Sequence, residues 1–251
     1  MTNDADLRRR RASSFGTAAA TYTEHRPGYP EAAVAWALEP VAGRGTLNVL
    51  DLGAGTGLLT QDLLRAGARV TAVEPDEQML AELRRRLPKV PTYAGSAEEI
   101  PLPDGSVDAV LAGQAFHWFD QDRALPEIAR VLRPGGVVAG LWNTYDDQAA
   151  WVVELGRLAP IYVGREGELT MVGHPAYEPV EAGEFAHAMP RSAESLTATL
   201  ATHSSILVLP QDEQERLLSG VRAYLDSHPE TGDGRTFDFP LVTVAERAVR
   251  R

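Results

Sequence analysis

Short apolar runs alternate with amphipathic stretches through the middle of the chain. TLNVLDLG (46–53) is a compact apolar run closed by a glycine and is predicted to be a buried strand. GLLTQDLLRAG follows as a helix stopped by Gly67, then ARVTAVE (68–74) as a second strand. DEQMLAELRRRL carries Met79, Leu80, Leu83 and Leu87 at helical spacing and is stopped by Pro88. VPTYAG reads as a weak third strand, SVDAVLAG (106–113) as a fourth and GGVVAGLW as a fifth. QDRALPEIARVL is a helix between the last two, with Pro126 in its first turn or kinking it. Ahead of this block, YPEAAVAWALEPVAG is predicted helical, with Val34, Trp36 and Leu38 available for packing.

Strand and helix thus alternate from residue 46 to about 142. That pattern predicts a parallel sheet with right-handed crossovers, a doubly wound α/β fold. Beyond it, residues 147–159 read as a helix, 164–184 as a loop and EFAHAM as a sixth strand. AESLTATLA has Leu196 and Leu200 on one face, QDEQERLLSGVRAYLDSH is a clear amphipathic helix, and LVTVAERA is a last strand.

Ligands of such sheets bind at the carboxyl ends of the strands. There, VLDLGAGTG puts Gly53, Gly55 and Gly57 between the first strand and its helix. A dinucleotide fingerprint needs its third glycine at 58, which is Leu58. Asp51 also ends the strand where a pyrophosphate would approach. A carboxylate there repels phosphate and attracts a cation, such as an ammonium or sulfonium. Glu74 ends the second strand, where a carboxylate can accept both hydroxyls of a ribose.

Taken together, VLDLGAGTG, VTAVEPDEQML, GSAEEIPLPDGSVDAVLAGQAFHWFD and IARVLRPGGVVAGLWN resemble the successive motifs of class I S-adenosylmethionine-dependent methyltransferases. FGTAAATYTEHRPGYP and AFHWFD are similar to the small-molecule branch that includes the trans-aconitate-methyltransferase-like proteins. The resemblance implies a mostly parallel seven-stranded sheet in a single domain. Residues 1–45 would form an N-terminal arm and lid, 46–145 the cofactor-binding core, 146–235 a cap over the acceptor, and 236–251 the last strand. It implies S-adenosylmethionine as cofactor. Asp51, Gly53 and Gly55 would hold its methionine and sulfonium region, Glu74 the ribose, and Pro75 and Met79 the adenine face. Ser96, Ala97 and Glu98 would meet the adenine edge, with Ser96 standing where the family often has an acid. Gln114 would reach the methionine end. Tyr22 and Arg26, four apart on one helical face, would act as a lid, Arg26 pairing with the cofactor carboxylate and Tyr22 covering the methyl pocket. His117 would be a general base or an acceptor contact, and Trp118 an acceptor contact. The favoured acceptor atom is a carboxylate oxygen of a small molecule. The alternatives are N-, C- or phenol O-methylation, or a protein that keeps the pocket without methylating.

Composition narrows the partners. A net charge of -11 disfavours non-specific nucleic-acid binding. No cysteine is present, so no thiolate nucleophile or cysteine metal site is available, and the scattered histidines show no zinc-helix spacing. DQDR (120–123) reads as helix-capping chemistry, and the run Arg8–Arg11 as part of a solvated, frayed terminus. With no 18-residue apolar stretch, no membrane association and a cytoplasmic location are expected, as monomer or homodimer.

Overall fold

The computed structural model describes residues 26–159, 171–201, 203, 206, 209–232, 234 and 236–251. Tyr22, the run Arg8–Arg11 and the first part of the expected 164–184 loop lie outside the described residues.

Five parallel strands form the first part of the sheet: β1 (Asn48–Leu52), β2 (Arg69–Glu74), β3 (Thr92–Ala94), β4 (Val107–Gly113) and β5 (Leu132–Tyr145). β6 (Glu181–Arg191) and β7 (Phe237–Val249) complete it in the order β3-β2-β1-β4-β5-β7-β6. β7 runs antiparallel to both of its neighbours. The helices are α1 (Glu31–Leu38), α2 (Leu58–Arg65), α3 (Glu77–Arg86), α4 (Gln121–Val131), α5 (Ala150–Leu158), α6 (Ala193–Ala201) and α7 (Gln211–Ser227).

The central strands are mostly apolar on both faces because both faces of the sheet are covered, with Asp51 and Asp108 as the buried acids. Leu50, Leu52, Val110 and Val138 pack with Leu125 and Ile128 of α4 on one side. Val49, Leu111, Val137 and Ala139 pack with Val34 and Ala37 of α1 and Leu59 and Leu63 of α2 on the other. A separate cluster joins α5, α6 and α7 to the start of β7, through Trp151, Leu155, Leu196, Leu200, Val221, Leu225, Phe239 and Leu241. β1 sits between β2 and β4, so the strand order reverses beside it and opens a crevice at the strands' carboxyl ends.

Several boundaries differ from the sequence pattern. The single helix expected before β1 breaks into α1 and a 3₁₀ turn, Glu39–Arg44, where Pro40 removes a backbone donor. Pro126 sits inside α4, beyond its first turn. β6 starts at Glu181, within the expected loop, and reaches Arg191, because β7 pairs with it residue by residue from Arg247 back to Phe237. An edge strand with one exposed face carries little apolar pattern, so its length is poorly written in the sequence. Arg26 is in a bend and residues 27–30 are non-helical, so the helical pairing expected of Tyr22 and Arg26 does not extend to Arg26. Among the described residues, no helix is long and apolar enough to cross a membrane.

Candidate active site

A cavity of about 970 Å³ lies over the crevice. Its wall includes Arg26, Asp51, Gly53, Gly55, Glu74, Pro75, Met79, Ser96, Ala97, Glu98, Gln114, His117 and Trp118. Every site residue expected from the sequence except Tyr22, which is outside the described residues, therefore borders one space.

The glycine loop is shaped by close approaches. Gly53 has φ +70°, and a Cβ there would come 2.8 Å from the Ala115 Cβ. The amides of Gly53 and Ala54 both donate to the Val73 carbonyl, fixing the loop to the end of β2. Gly55, at φ +55°, would place a Cβ in open space, so its backbone faces a region free of protein atoms.

Asp51 is fully buried, and its Oδ2 accepts the Thr60 hydroxyl at 2.5 Å. Its Oδ1 has no hydrogen-bond partner among the described residues. Burial, helped by the nearby Glu74 and Asp62 carboxylates, pushes its pKa up to about 7 against the Thr60 hydrogen bond. Glu74 Oε2 accepts from the Gly55 amide at 2.8 Å and Oε1 from the Asp76 amide at 2.9 Å. Burial raises its pKa as well. Each Glu74 oxygen keeps a second acceptor position for a ligand hydroxyl. Asp76 caps α3 by accepting from the Gln78 and Met79 amides, which sets Met79 on the cavity wall.

The wall after β4 is a different kind of structure. Gln114 is the one non-glycine residue with positive φ (54°) among the described residues. Its amide nitrogen side chain donates to the Asn143 carbonyl at 2.9 Å, tying the ends of β4 and β5. Phe116 is fully buried and packs on Phe119 and Trp142, leaving His117 and Trp118 toward the opening. His117 Nδ1 accepts the Trp142 indole N–H at 3.4 Å, a long bond. An indole nitrogen only donates, so the neutral imidazole carries its proton on Nε2. Crowding by protein lowers the His117 pKa and favours that neutral form. Glu98 accepts from the Asp120 amide, which joins the loop after β3 to the start of α4. The capping role expected of 120–123 is corrected in one respect: Asp120 occupies the N-cap position, but its side chain makes no capping bond.

Sequence reasoning missed much of the opposite wall: Tyr29, Asn143, Tyr145, Met189, His203, Phe239 and Leu241, beside which Arg191 also lies. Asn143 donates to the carbonyls of Pro27 and Gly28 and accepts from Thr243, which contacts His187 in turn. The Tyr29 amide donates to Asp62 at 2.7 Å. These bonds hold the RPGY segment and bring Arg26 to the cavity, where its charge acts on Tyr145 and His203. Asn143 lies near the carboxyl end of β5, as Gln114 lies just past that of β4, and a polar residue at the carboxyl end of a strand was the available signal. Among the described residues, no group of three or more His, Asp or Glu side chains is arranged to hold a metal ion.

Residues 50–140 match a family model described as a methyltransferase domain. The chain is 42% identical to an uncharacterized methyltransferase of Mycobacterium bovis, over 96% of this chain and 97% of that one. The chain belongs to the class I S-adenosylmethionine-dependent methyltransferases. A solved structure described as a proposed type II methyltransferase from Anaeromyxobacter dehalogenans is similar with a TM-score of 0.66 and 27% identity, covering 90% of this chain and 97% of that one. Over 94 residues, 37% of each chain, this methyltransferase is 40% identical to a malonyl-[acyl-carrier protein] O-methyltransferase of Pectobacterium atrosepticum. The cofactor of this methyltransferase is S-adenosylmethionine, and the cavity suits it. The lone Asp51 oxygen offers an acceptor to a cationic ligand, and the open space at Gly55 admits close approach to the backbone. A cofactor of about 27 non-hydrogen atoms takes roughly half of the cavity at protein packing density, leaving room for an acceptor.

Proposed function

We propose that this methyltransferase transfers the methyl group to a carboxylate oxygen of a small-molecule acceptor. The cofactor supplies a methyl group already activated by its sulfonium. Asp51, Gly53 and Gly55 hold its methionine region, Glu74 its ribose, and Pro75, Met79, Ser96, Ala97 and Glu98 surround its adenine. Arg26 pairs with its carboxylate, and Gln114 fixes the wall between cofactor and acceptor. What the protein contributes to the reaction is alignment and exclusion of water.

The protonation of His117 carries the choice of acceptor atom. With Nδ1 accepting from Trp142, its Nε2 is a hydrogen-bond donor and not a base. The other imidazole on the cavity wall, His203, is bonded to the Tyr145 hydroxyl, and burial beside Arg26 holds its pKa down at about 3. Neither imidazole is poised to remove a proton, which favours an acceptor that arrives already ionised. A carboxylate does so at neutral pH, whereas a phenol, an alcohol or a protonated amine does not. The oxygen acceptor in the name of the Pectobacterium relative points the same way.

The test is a screen of small carboxylic acids with methyl-labelled cofactor, followed by mild alkaline hydrolysis of the products. A methyl ester releases its label as methanol. Label that survives alkali would identify an amine, carbon or aryl ether product and overturn the proposal.

A further inference from the structure

Part of the cavity is not needed for the cofactor. Apart from Arg26 and Met79, the residues assigned to the cofactor sit at the ends of β1, β2 and β4 or on the loop after β3. Arg191 ends β6, at the far edge of the sheet, three strand positions from β4 with β5 and β7 between them. At the usual strand spacing this separates the two strand axes by roughly 14 Å. Around Arg191 the wall is largely apolar: Met189 precedes it on β6, Leu196 comes from α6, and Phe239 and Leu241 from β7.

Arg191 is only 7% exposed. Burial lowers its pKa, and the Tyr145 phenol acts in the opposite direction. Tyr145 itself is pushed up to about 12 by burial, while Arg26 and Arg191 both draw it down. Two guanidiniums thus influence one phenol, Arg26 from the RPGY segment and Arg191 from β6. Arg191 has a polar interaction within the protein, and a guanidinium with five N–H donors can meet a ligand anion in addition to a protein partner. Its planar fork suits the two oxygens of a carboxylate or phosphate. At long range the net charge of -11 repels anions, so attraction for one has to be local.

We propose that Arg191, backed by Tyr145, is an anion-recognition subsite for the acceptor. It takes a carboxylate or phosphate group that an apolar body separates from the atom receiving the methyl. Met189, Leu196, Phe239 and Leu241 pack that body. The inference rests on reading the cavity as a methyl-transfer site, since that reading assigns the β1–β4 end to the cofactor.

The test uses three probes of one chain length: octanoate, octyl phosphate and neutral octanamide. Each is titrated calorimetrically into the full chain saturated with S-adenosylhomocysteine, as wild type, Arg191→Gln and Arg191→Lys. At least one anion should bind wild type tenfold or more tighter than octanamide, and the better anion names the headgroup. The preference should vanish in Arg191→Gln and survive in part in Arg191→Lys, with octanamide binding alike in all three as the sign that the apolar chamber is intact. Equal binding of octanamide and both anions to wild type overturns the proposal, even if Arg191→Gln fails to fold. So does an anion preference that persists in a folded Arg191→Gln. If S-adenosylhomocysteine itself does not bind wild type, the methyl-transfer reading fails instead, and the same titrations without it still decide for or against Arg191 as an anion site.

Discussion

Cofactor binding should release a proton from Asp51. The carboxyl group is fully buried, one oxygen bonded to Thr60 and the other without a partner, with a pKa of about 7 in place of 3.8. At pH 6 roughly nine in ten molecules therefore hold the proton on Asp51 before binding. The ammonium and sulfonium of S-adenosylmethionine favour the carboxylate, and each unit by which they lower its pKa is about 1.4 kcal/mol of coupling. If binding restores an ordinary carboxylate pKa, affinity at pH 5 should be roughly 100-fold weaker than at pH 7.5, with a slope approaching tenfold per pH unit below 6. Calorimetric titration at pH 6, in buffers of different ionisation enthalpy, should show about 0.9 proton released per cofactor bound. Asp51→Asn should bind more weakly at pH 7.5 and show neither the release nor the slope. Stability without ligand should move the opposite way to affinity. An acid whose pKa is raised in the folded state stabilises it most below the unfolded value, and that contribution is lost as pH rises from about 4 through 7. The shift corresponds to at most about 4 kcal/mol, so the melting temperature of the wild type should fall across this window more than that of Asp51→Asn. An affinity that is flat from pH 5 to 7.5, with no buffer-dependent heat, would refute the placement of cofactor charge beside Asp51.

Other expectations follow from the same geometry. Glu74→Ala should weaken S-adenosylmethionine binding by roughly 1–3 kcal/mol, and wild type should bind this cofactor more tightly than NAD; an unchanged dissociation constant in a folded variant removes Glu74 from the site. His117→Ala should raise the acceptor KM more than it lowers kcat, with little recovery at high pH. A 10²-fold or larger fall in kcat that recovers as pH rises would identify a general base after all. Gly53→Ala combines a left-handed φ with a 2.8 Å approach to Ala115 and should cost about 2–4 kcal/mol of stability, read from chemical denaturation. Asn143→Ala should cost about 1–3 kcal/mol and loosen the RPGY segment, seen as faster amide exchange at Tyr29; unchanged exchange there would show that Asn143 does not hold the segment.

The residues proposed to hold the cofactor could be brought to one cavity from the sequence because their determinants are local. Asp51 and the glycines lie within one turn, and Glu74 follows at the end of the next strand, so strand ends and spacing were enough to bring them together. The proposed acceptor half was legible only in part. Asn143 meets Thr243 and Gly28 at about one hundred residues' separation, and Arg191 reaches the cavity only because β7 inserts between β5 and β6. No periodicity in one segment encodes a contact with another. Chemical state was hidden too: nothing in VLDLGAGTG distinguishes a solvated aspartate from one whose pKa is near 7. The histidine in AFHWFD was visible as a candidate, but which nitrogen holds its proton depends on Trp142, 25 residues on.

The place of β7 in the sheet has a consequence for how the chain acquires its shape during synthesis. Each strand through β5 finds a neighbour that has already been made: β2 and β4 pair with β1, β3 with β2, and β5 with β4. β6 breaks the sequence, since its sheet partner β7 comes later in the chain. Until Phe237–Val249 has been made, the edge of β5 from Val137 to Tyr145 stays open and β6 has no ladder to join. Open edges are templates for wrong pairing, so during this interval the nascent chain carries an unpaired edge that favours aggregation. A ribosome-bound chain arrested before Phe237 could already present Asp51 and Glu74 on paired strands, while Arg191 would still wait for its own. On the proposed assignment, cofactor recognition and acceptor recognition belong to different moments in the life of one chain.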